Sequence, residues 1–253
     1  MTSTFSLSSA LSRRPRLTIS VVLVVTAVTL ALGSPVSAAR AAASATPAAA
    51  TSDPIVFLHG WGSDGTGGRL TSLANKFKAD GVPADRLFHF GYTTSQSNRT
   101  TAAELADFIR GTVLAQTGAD RVDLVAHSMG SLSSRHCIKF VSGCAGMVDD
   151  WVSLGGPNHG TLLAVGCPLV FREDVACREM APRSRFLRQL NAGDETPGRV
   201  SYTTVRSQAD EQIWPRSSTS LDGADNHAVR GLGHDDLVSD AGVYRIVRSA
   251  VID

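Results

Sequence analysis

Residues 122–130 carry the sequence Val-Asp-Leu-Val-Ala-His-Ser-Met-Gly, and this stretch decides the fold prediction. The apolar run over residues 122–126 predicts a buried strand, and the residues after Gly130 predict a helix. A serine between a strand and a helix, with Ala126 and Gly130 two positions to either side, is typical of a sharp turn that exposes a nucleophile. The flanking residues must be small because the two backbones nearly touch at such a turn. Ser128 is therefore predicted to be the nucleophile.

Apolar runs alternate with amphipathic stretches on both sides of this turn, which predicts βαβ units around a mostly parallel sheet. The apolar runs predict six strands, at residues 54–58, 87–92, 122–126, 148–154, 201–205 and 227–230. The amphipathic stretches predict helices at residues 100–117, 129–141, 184–190 and 241–251. A long irregular stretch separates residue 155 from residue 198. No internal repeat is present, and residues 53–253 are predicted to form one catalytic domain.

A second motif, His59-Gly60-Trp61-Gly62, follows the first predicted strand directly. In enzymes with a strand–serine–helix turn, the loop after an early strand donates one backbone N–H to the oxyanion of the intermediate. The residue after the nucleophile donates the other. The backbone amides of Trp61 and Met129 are therefore the predicted oxyanion donors.

The catalytic base has to be chosen from seven histidines. His127 is adjacent to the nucleophile, and we expect its side chain to point away from it. His234 lies in a glycine-rich loop, residues 231–237, between the last predicted strand and the last predicted helix. Because hydrolases with this type of turn place the base after the nucleophile and the acid in the chain, His234 is the predicted base.

The acid of a triad has to lie between the nucleophile and the base, in a loop after a strand. Asp210 meets this requirement, since it follows the predicted strand that begins at residue 201. Asp222 and Asp225 are rivals closer to the base. Asp174 and Asp194 have no preceding strand. We favour Asp210, whose role would be to hold the imidazole in the correct tautomer.

The first residues are typical of a secretory signal. Arginines precede an apolar run at residues 17–32, and small residues follow it, which predicts a cleaved signal peptide over residues 1–38. Sixteen helical residues span only about 24 Å, which is short of the roughly 30 Å of a bilayer core. Residues 39–52 are rich in Ala, Ser and Thr and are predicted to be a disordered tail. The predicted protein is thus exported, and its export route stays open.

Removal of the signal segment would change the formal net charge from +1 to −2, because that segment carries three arginines and no acidic residue. A slightly acidic chain without a basic cluster is not typical of a nucleic-acid-binding protein. We expect a monomer with no nucleic-acid partner.

The four cysteines fit export to an oxidising compartment. Three pairings are possible, and we favour the two sequence-local ones, which join Cys137 to Cys144 and Cys167 to Cys177. The first requires the chain to reverse at Gly143. Each cross-link would stabilise the fold by roughly 2.5–3 kcal/mol. The spacings do not suit zinc, and we expect no metal ion.

With these motifs in place, the chain resembles the secreted bacterial triacylglycerol lipases of the lipase class 2 or lipase A type, within the α/β-hydrolase superfamily. The resemblance runs from about Pro54 to the C-terminus. Six stretches carry it, at residues 56–62, 122–130, 152–161, 207–210, 221–224 and 231–234. Alanine at the first flank of the serine turn is shared with the lipase A type. The resemblance implies a compact α/β-hydrolase fold and the same triad and oxyanion donors as above.

The resemblance also implies a secreted carboxyl ester hydrolase, a lipase or esterase acting on acylglycerols or similar esters, without a cofactor. The sequence leaves other substrates open, since this fold also hosts polyester depolymerases and peptidases. A more remote alternative is a binding protein that kept the fold and lost catalysis. One departure from the smallest family members is a longer stretch after residue 154, which includes Cys167 and Cys177. It either covers the site as a lid or decorates the surface.

Overall fold

The computed structural model describes residues 53–63 and 68–252. The predicted signal peptide, residues 1–38, and the predicted tail, residues 39–52, lie outside the described residues. The described part is built around a parallel sheet of six strands in the order β2-β1-β3-β4-β5-β6. The strands are β1 (Ile55–Leu58), β2 (Leu87–Phe90), β3 (Val122–His127), β4 (Val148–Leu154), β5 (Ser201–Ser207) and β6 (Asp225–Val229). This architecture is the predicted α/β-hydrolase fold.

All six predicted strands are present, with ends that differ from the prediction by a few residues. β1, β3 and most of β4 are buried on both faces, as continuous apolar runs in a parallel sheet require. Along β1 the side chains alternate between two cores. Ile55 and Phe57 face one core, whereas Val56 and Leu58 face the other.

Helices cover the two faces of the sheet. α1 (Leu70–Ala79) and α8 (Ala241–Ile252) contact each other and pack on one face. α2 (Asn98–Phe108) and α4 (Gly130–Phe140) contact each other and pack on the opposite face. Each fully buried aliphatic or aromatic side chain in these layers contributes about 1.5–3 kcal/mol. The other α-helices are α3 (Ala115–Thr117), α5 (Cys167–Val170), α6 (Val175–Glu179) and α7 (Arg185–Leu190).

The helix predicted at residues 100–117 differs from prediction in two ways. It begins at Asn98, because the Ser97 side chain caps it by accepting a hydrogen bond from the amide of Arg99. The backbone then widens to a π-helix over Ile109–Leu114 before α3 completes the segment. The prediction of one uninterrupted α-helix was therefore wrong in its centre.

Residues 161–180 form a compact segment over the carboxyl ends of the strands, and we call this segment the strap. The sequence predicted no regular structure here, but the strap contains α5, α6 and a 3-10 turn at Leu162–Gly166. A disulfide between Cys167 and Cys177 closes it. Beneath it, an apolar cluster joins the strap to α4 and α7.

The second disulfide joins Cys137, in the last turn of α4, to Cys144. The chain reverses between them at Gly143, whose φ of 79° is in the left-handed region that favours glycine. Both sequence-local pairings are confirmed. Among residues 53–63 and 68–252, no helix combines the length and the apolar composition that a membrane crossing needs.

Candidate active site

Ser128 lies at the turn between β3 and α4, at the carboxyl end of the sheet. Its φ is 55°, a left-handed conformation that residues other than glycine rarely adopt. The turn is tight: a Cβ at Gly130 would lie 2.7 Å from the backbone oxygen of His59. A Cβ at Gly60 would lie 2.8 Å from Ser128 Cβ. The two glycines thus allow β1, its loop and α4 to approach the serine.

Asp210 follows β5 and is almost fully buried. Its Oδ2 lies 2.8 Å from His234 Nδ1, and its Oδ1 accepts hydrogen bonds from the amides of Gln212 and Ile213 over 2.8 and 2.9 Å. Burial raises the pKa of Asp210, but the hydrogen bond and charge of His234 and the two amides outweigh it. The pKa of Asp210 is therefore below its usual value, which keeps the carboxylate ionised.

His234 comes after β6 at the start of a short 3-10 turn, Asp235–Val238, and is 1% exposed. With Nδ1 donating to Asp210, Nε2 is left as the unprotonated nitrogen. Nε2 has no hydrogen-bond partner among the described residues, and the imidazole lines the same cleft as Ser128. Gly155 makes room for the ring, since a Cβ there would lie 3.0 Å from His234 Cε1.

The other aspartates considered from the sequence have different partners. Asp225 pairs with His227 on the exposed edge strand. Asp174 accepts a hydrogen bond from the indole of Trp61. Of the candidates in the described part of the chain, Asp210 is the one whose carboxylate is bonded to His234.

The two predicted oxyanion donors flank Ser128. Trp61 belongs to the loop after β1 and lines the cleft beside Ser128. Met129 is the N-cap of α4, so its amide precedes the first intrahelical hydrogen bond, and the positive end of the helix dipole lies beside it. Tyr92 supports the loop after β1, because its hydroxyl donates to the backbone oxygen of His59 over 2.5 Å and its ring stacks on the ring of that histidine.

His127 lies in the site, so the expectation that its side chain points away from the nucleophile was wrong. Its ring centroid is 4.7 Å from that of His234, and both rings line the cleft. Burial, followed by the neighbouring His234, lowers the pKa of His127 to about 3. A neutral imidazole therefore packs against the proposed base and adds no charge to it.

Two cavities meet at Ser128. The first has a volume of about 350 Å³ and contains the polar side chains of His127, His234, Arg69 and Asp235. Arg69 and Asp235 form an ion pair beside it. This pair was not predicted, because it joins residues that are far apart in the chain.

The second cavity has a volume of about 190 Å³ and lies beneath the strap. Its walls are mostly apolar, and His234 is not among them. Ser128, Trp61 and Gln212 belong to both cavities, so they mark the boundary between the two. Gln212 had no signal in the sequence beyond its position two residues after Asp210. Within the described residues, no group of three or more His, Cys, Asp or Glu side chains is placed to hold a metal ion.

Comparison with known families gives a match over most of the chain. The family model described as lipase (class 2) matches residues 52–246, which include every predicted triad and oxyanion residue.

Solved structures show the same fold at low sequence identity. The mature lipase BlEst2 of Bacillus licheniformis is 17% identical, with a TM-score of 0.66, over 79% of this chain and 92% of its own. Lipase B of Aspergillus fumigatus is 16% identical, with a TM-score of 0.61, over 80% of this chain and 53% of its own. The phospholipase PlaB of Legionella pneumophila is 15% identical, with a TM-score of 0.61, over 80% of this chain and 60% of its own.

Proposed function

The chain belongs to the lipase class 2 family of hydrolases, and from this premise we propose that it is a secreted serine carboxylic ester hydrolase. Ser128 is the nucleophile, His234 the general base and acid, and Asp210 the residue that orients the imidazole. The backbone amides of Trp61 and Met129 hold the oxyanion. The substrates are acylglycerols or similar esters.

The proposed reaction has two halves. Ser128 Oγ attacks the carbonyl carbon of the ester while His234 Nε2 takes the hydroxyl proton. The tetrahedral intermediate collapses, the bond to the alcohol oxygen breaks, and His234 returns its proton to the leaving alcohol. Water then attacks the acyl-enzyme in the same way and releases the carboxylic acid and the free serine.

The observation that carries the proposal is the arrangement of Asp210, His234 and Ser128. The 2.8 Å contact between Asp210 Oδ2 and His234 Nδ1 favours the tautomer with the proton on Nδ1. His234 Nε2 has no partner among the described residues, and the ring lines the cleft that contains the serine. Hydrogen bonds between nucleophile and base are often long without substrate, so no Ser128–His234 bond is required at this stage. The ionised Asp210 stabilises the imidazolium that forms during the attack.

Export is part of the proposal. The signal segment predicted over residues 1–38 would direct the chain out of the cytoplasm, and residues 53–253 would then act as the mature catalytic domain. Two disulfides in the described residues support an oxidising destination. N-terminal sequencing of protein recovered from culture medium tests this part, with a mature terminus near residue 39 as the expected result.

Ester hydrolysis by purified protein tests the activity. We expect turnover of p-nitrophenyl butyrate and of tributyrin, and a loss of about 10³-fold or more in kcat for Ser128→Ala. Ser72→Ala is the matched control, because Ser72 is exposed on α1 and lines neither cavity beside Ser128. Cleavage of a polyester film or a peptide without turnover of either ester would assign another substrate class. A folded protein that turns over no substrate would favour a binding protein.

A further inference from the structure

The strap is the segment that the smallest family members lack, and its residues line the apolar cavity beside Ser128. We propose that the strap forms the acyl-binding site and selects esters whose acyl chains have about four to eight carbons. The inference rests on the proposed function, since it assigns the two halves of the substrate to the two cavities beside Ser128.

The proton transfer decides which cavity holds which half. The leaving alcohol takes its proton from His234, so it has to lie on the side of Ser128 that His234 lines. That side is the polar cavity of about 350 Å³. The acyl chain remains bonded to the serine and has to leave in another direction. The cavity of about 190 Å³ also contains Ser128 but not His234, and it is therefore the acyl side.

The chemistry of this second cavity suits a hydrocarbon chain. The strap supplies most of its wall, with Leu163, Ala164, Val170 and Phe171 around the Cys167–Cys177 disulfide. Ala164 is buried in the inner wall, whereas the other three side chains are exposed at the outer rim. Burial of a methylene group is favourable, so each carbon that enters this wall favours binding.

The volume limits the chain length. A water molecule occupies about 30 Å³ in the liquid, which is close to the size of a methylene group, so about 190 Å³ holds about six such groups. Longer chains would have to pass over Val170 and Phe171 into solvent, where further carbons bury less surface.

The strap is held in place at both ends, so the cavity has fixed walls. At the first end, the Thr161 hydroxyl donates to the backbone oxygen of Gln212 over 2.7 Å and accepts from the amide of Trp214 over 3.1 Å. At the second end, Glu179 accepts hydrogen bonds from Ser97 and Asn98 at the start of α2. A wall anchored in this way can limit the length of the bound acyl chain without a change in the conformation of the strap.

The strap contacts the loop after β1, which contains Trp61, and so continues the cavity wall up to the serine. The Phe171 ring meets the Trp61 ring edge to face, with centroids 5.1 Å apart. The Trp61 indole also donates to Asp174 of the strap over 2.6 Å. An acyl chain on Ser128 therefore passes directly from the carbonyl into the apolar wall.

The experiment is a chain-length profile of kcat/KM on p-nitrophenyl acetate, butyrate, hexanoate, octanoate and laurate. The native chain is expected to prefer hexanoate and octanoate to acetate and laurate. Ala164→Leu fills the inner wall, and we expect the ratio of octanoate to acetate turnover to fall by about tenfold or more. Phe171→Ala opens the outer rim, and we expect the preferred chain to become longer. Leu169→Ala is the matched control, because Leu169 is on the strap, 80% exposed, and does not line the cavity.

Acetate separates this inference from the proposed function, since an acetyl group is too short to fill the cavity. Absence of turnover of every ester in the series by the native chain would contradict the proposed function itself. Acetate turnover with an octanoate-to-acetate ratio that is the same in all variants would overturn the strap as the acyl site. Thermal unfolding shows whether Ala164→Leu disturbs folding. Phe171 is exposed, so Phe171→Ala tests the inference even in that case.

Discussion

Trp61 donates a hydrogen bond from its indole Nε1 to Asp174 Oδ2 over 2.6 Å, across 113 residues of chain. The other carboxylate oxygen of Asp174 accepts the amide of Cys177 over 2.7 Å and caps α6. One carboxylate therefore fixes the strap helix and the loop whose backbone amide is a proposed oxyanion donor. Because oxyanion stabilisation depends on donor positions defined to a fraction of an ångström, this contact couples the strap to the chemistry.

Asp174→Ala should lower kcat for p-nitrophenyl butyrate by about tenfold, because the Trp61 loop loses its anchor while its amide remains present. Removal of an entire oxyanion donor costs about 10²–10³-fold, which sets the upper limit. Loss of the cap should also lower the free energy of unfolding by about 1 kcal/mol. Asp107→Ala is the control, since Asp107 is exposed and pairs with its helix neighbour Arg110. An unchanged kcat in a folded Asp174→Ala protein would show that the anchor is dispensable.

Gly60→Ala should abolish most activity. The added Cβ would lie 2.8 Å from Ser128 Cβ and 3.3 Å from Ser128 Oγ, so the serine has to move. We expect kcat/KM to fall by about 10²-fold, as a displacement of about 1 Å does elsewhere. Gly111→Ala is the matched control, because its Cβ meets no atom within 4 Å. Equal activities of the two variants would contradict the close approach of the loop to the serine.

Asp210→Asn should lower kcat by about 10⁴-fold and leave the fold intact, because the amide no longer favours the tautomer that leaves Nε2 free. Steady-state kinetics on p-nitrophenyl butyrate measure the loss. Asp225→Asn tests the rival aspartate, which pairs with His227 on the edge of the sheet. We expect Asp225→Asn to stay within about twofold of the native chain. The reverse ranking would assign the acid to Asp225.

The fold was predictable where local pattern decides it. The run over residues 122–126 and the small residues around Ser128 predicted the strand, the turn and the start of α4. α1 was missed although Leu70, Leu73, Ala74 and Phe77 repeat at helical spacing and are buried. No capping side chain marks the start of α1, so the sequence contains no sign of where this helix begins. The helical spacing of the apolar residues was the one remaining signal.

The site was predictable only in part, because several of its contacts join distant residues. The motifs around Ser128, Asp210 and His234 are local, and parallel strands bring their carboxyl ends to one edge of the sheet. The ring of His127 beside His234 follows instead from how the last loop packs. The cavity beneath the strap depends on the Cys167–Cys177 closure and on Asp174 meeting Trp61, which no sequence spacing encodes.

Asp123→Asn should make the stability less sensitive to alkaline pH. Burial, followed by the charge of Asp150, raises the pKa of Asp123 from 3.8 to about 8. The folded chain thus holds a proton that the unfolded chain releases, so the free energy of unfolding falls as pH rises from about 4 to about 8. Asparagine has no proton to lose, and the difference in melting temperature between pH 5 and pH 9 should shrink.

Thermal unfolding at the two pH values tests this expectation, with Asp85→Asn as the control on an exposed turn. A pH dependence that is identical in Asp123→Asn and the native chain would show that Asp123 does not titrate in this range.

The most direct test of the central claim is the mass of the protein after exposure to a fluorophosphonate, whose phosphorus is attacked by an activated serine with loss of fluoride. One adduct per chain is expected, on the peptide that contains Ser128, with no adduct in Ser128→Ala and much slower labelling in His234→Ala. An adduct on another residue, or labelling of equal rate in His234→Ala, would contradict the account.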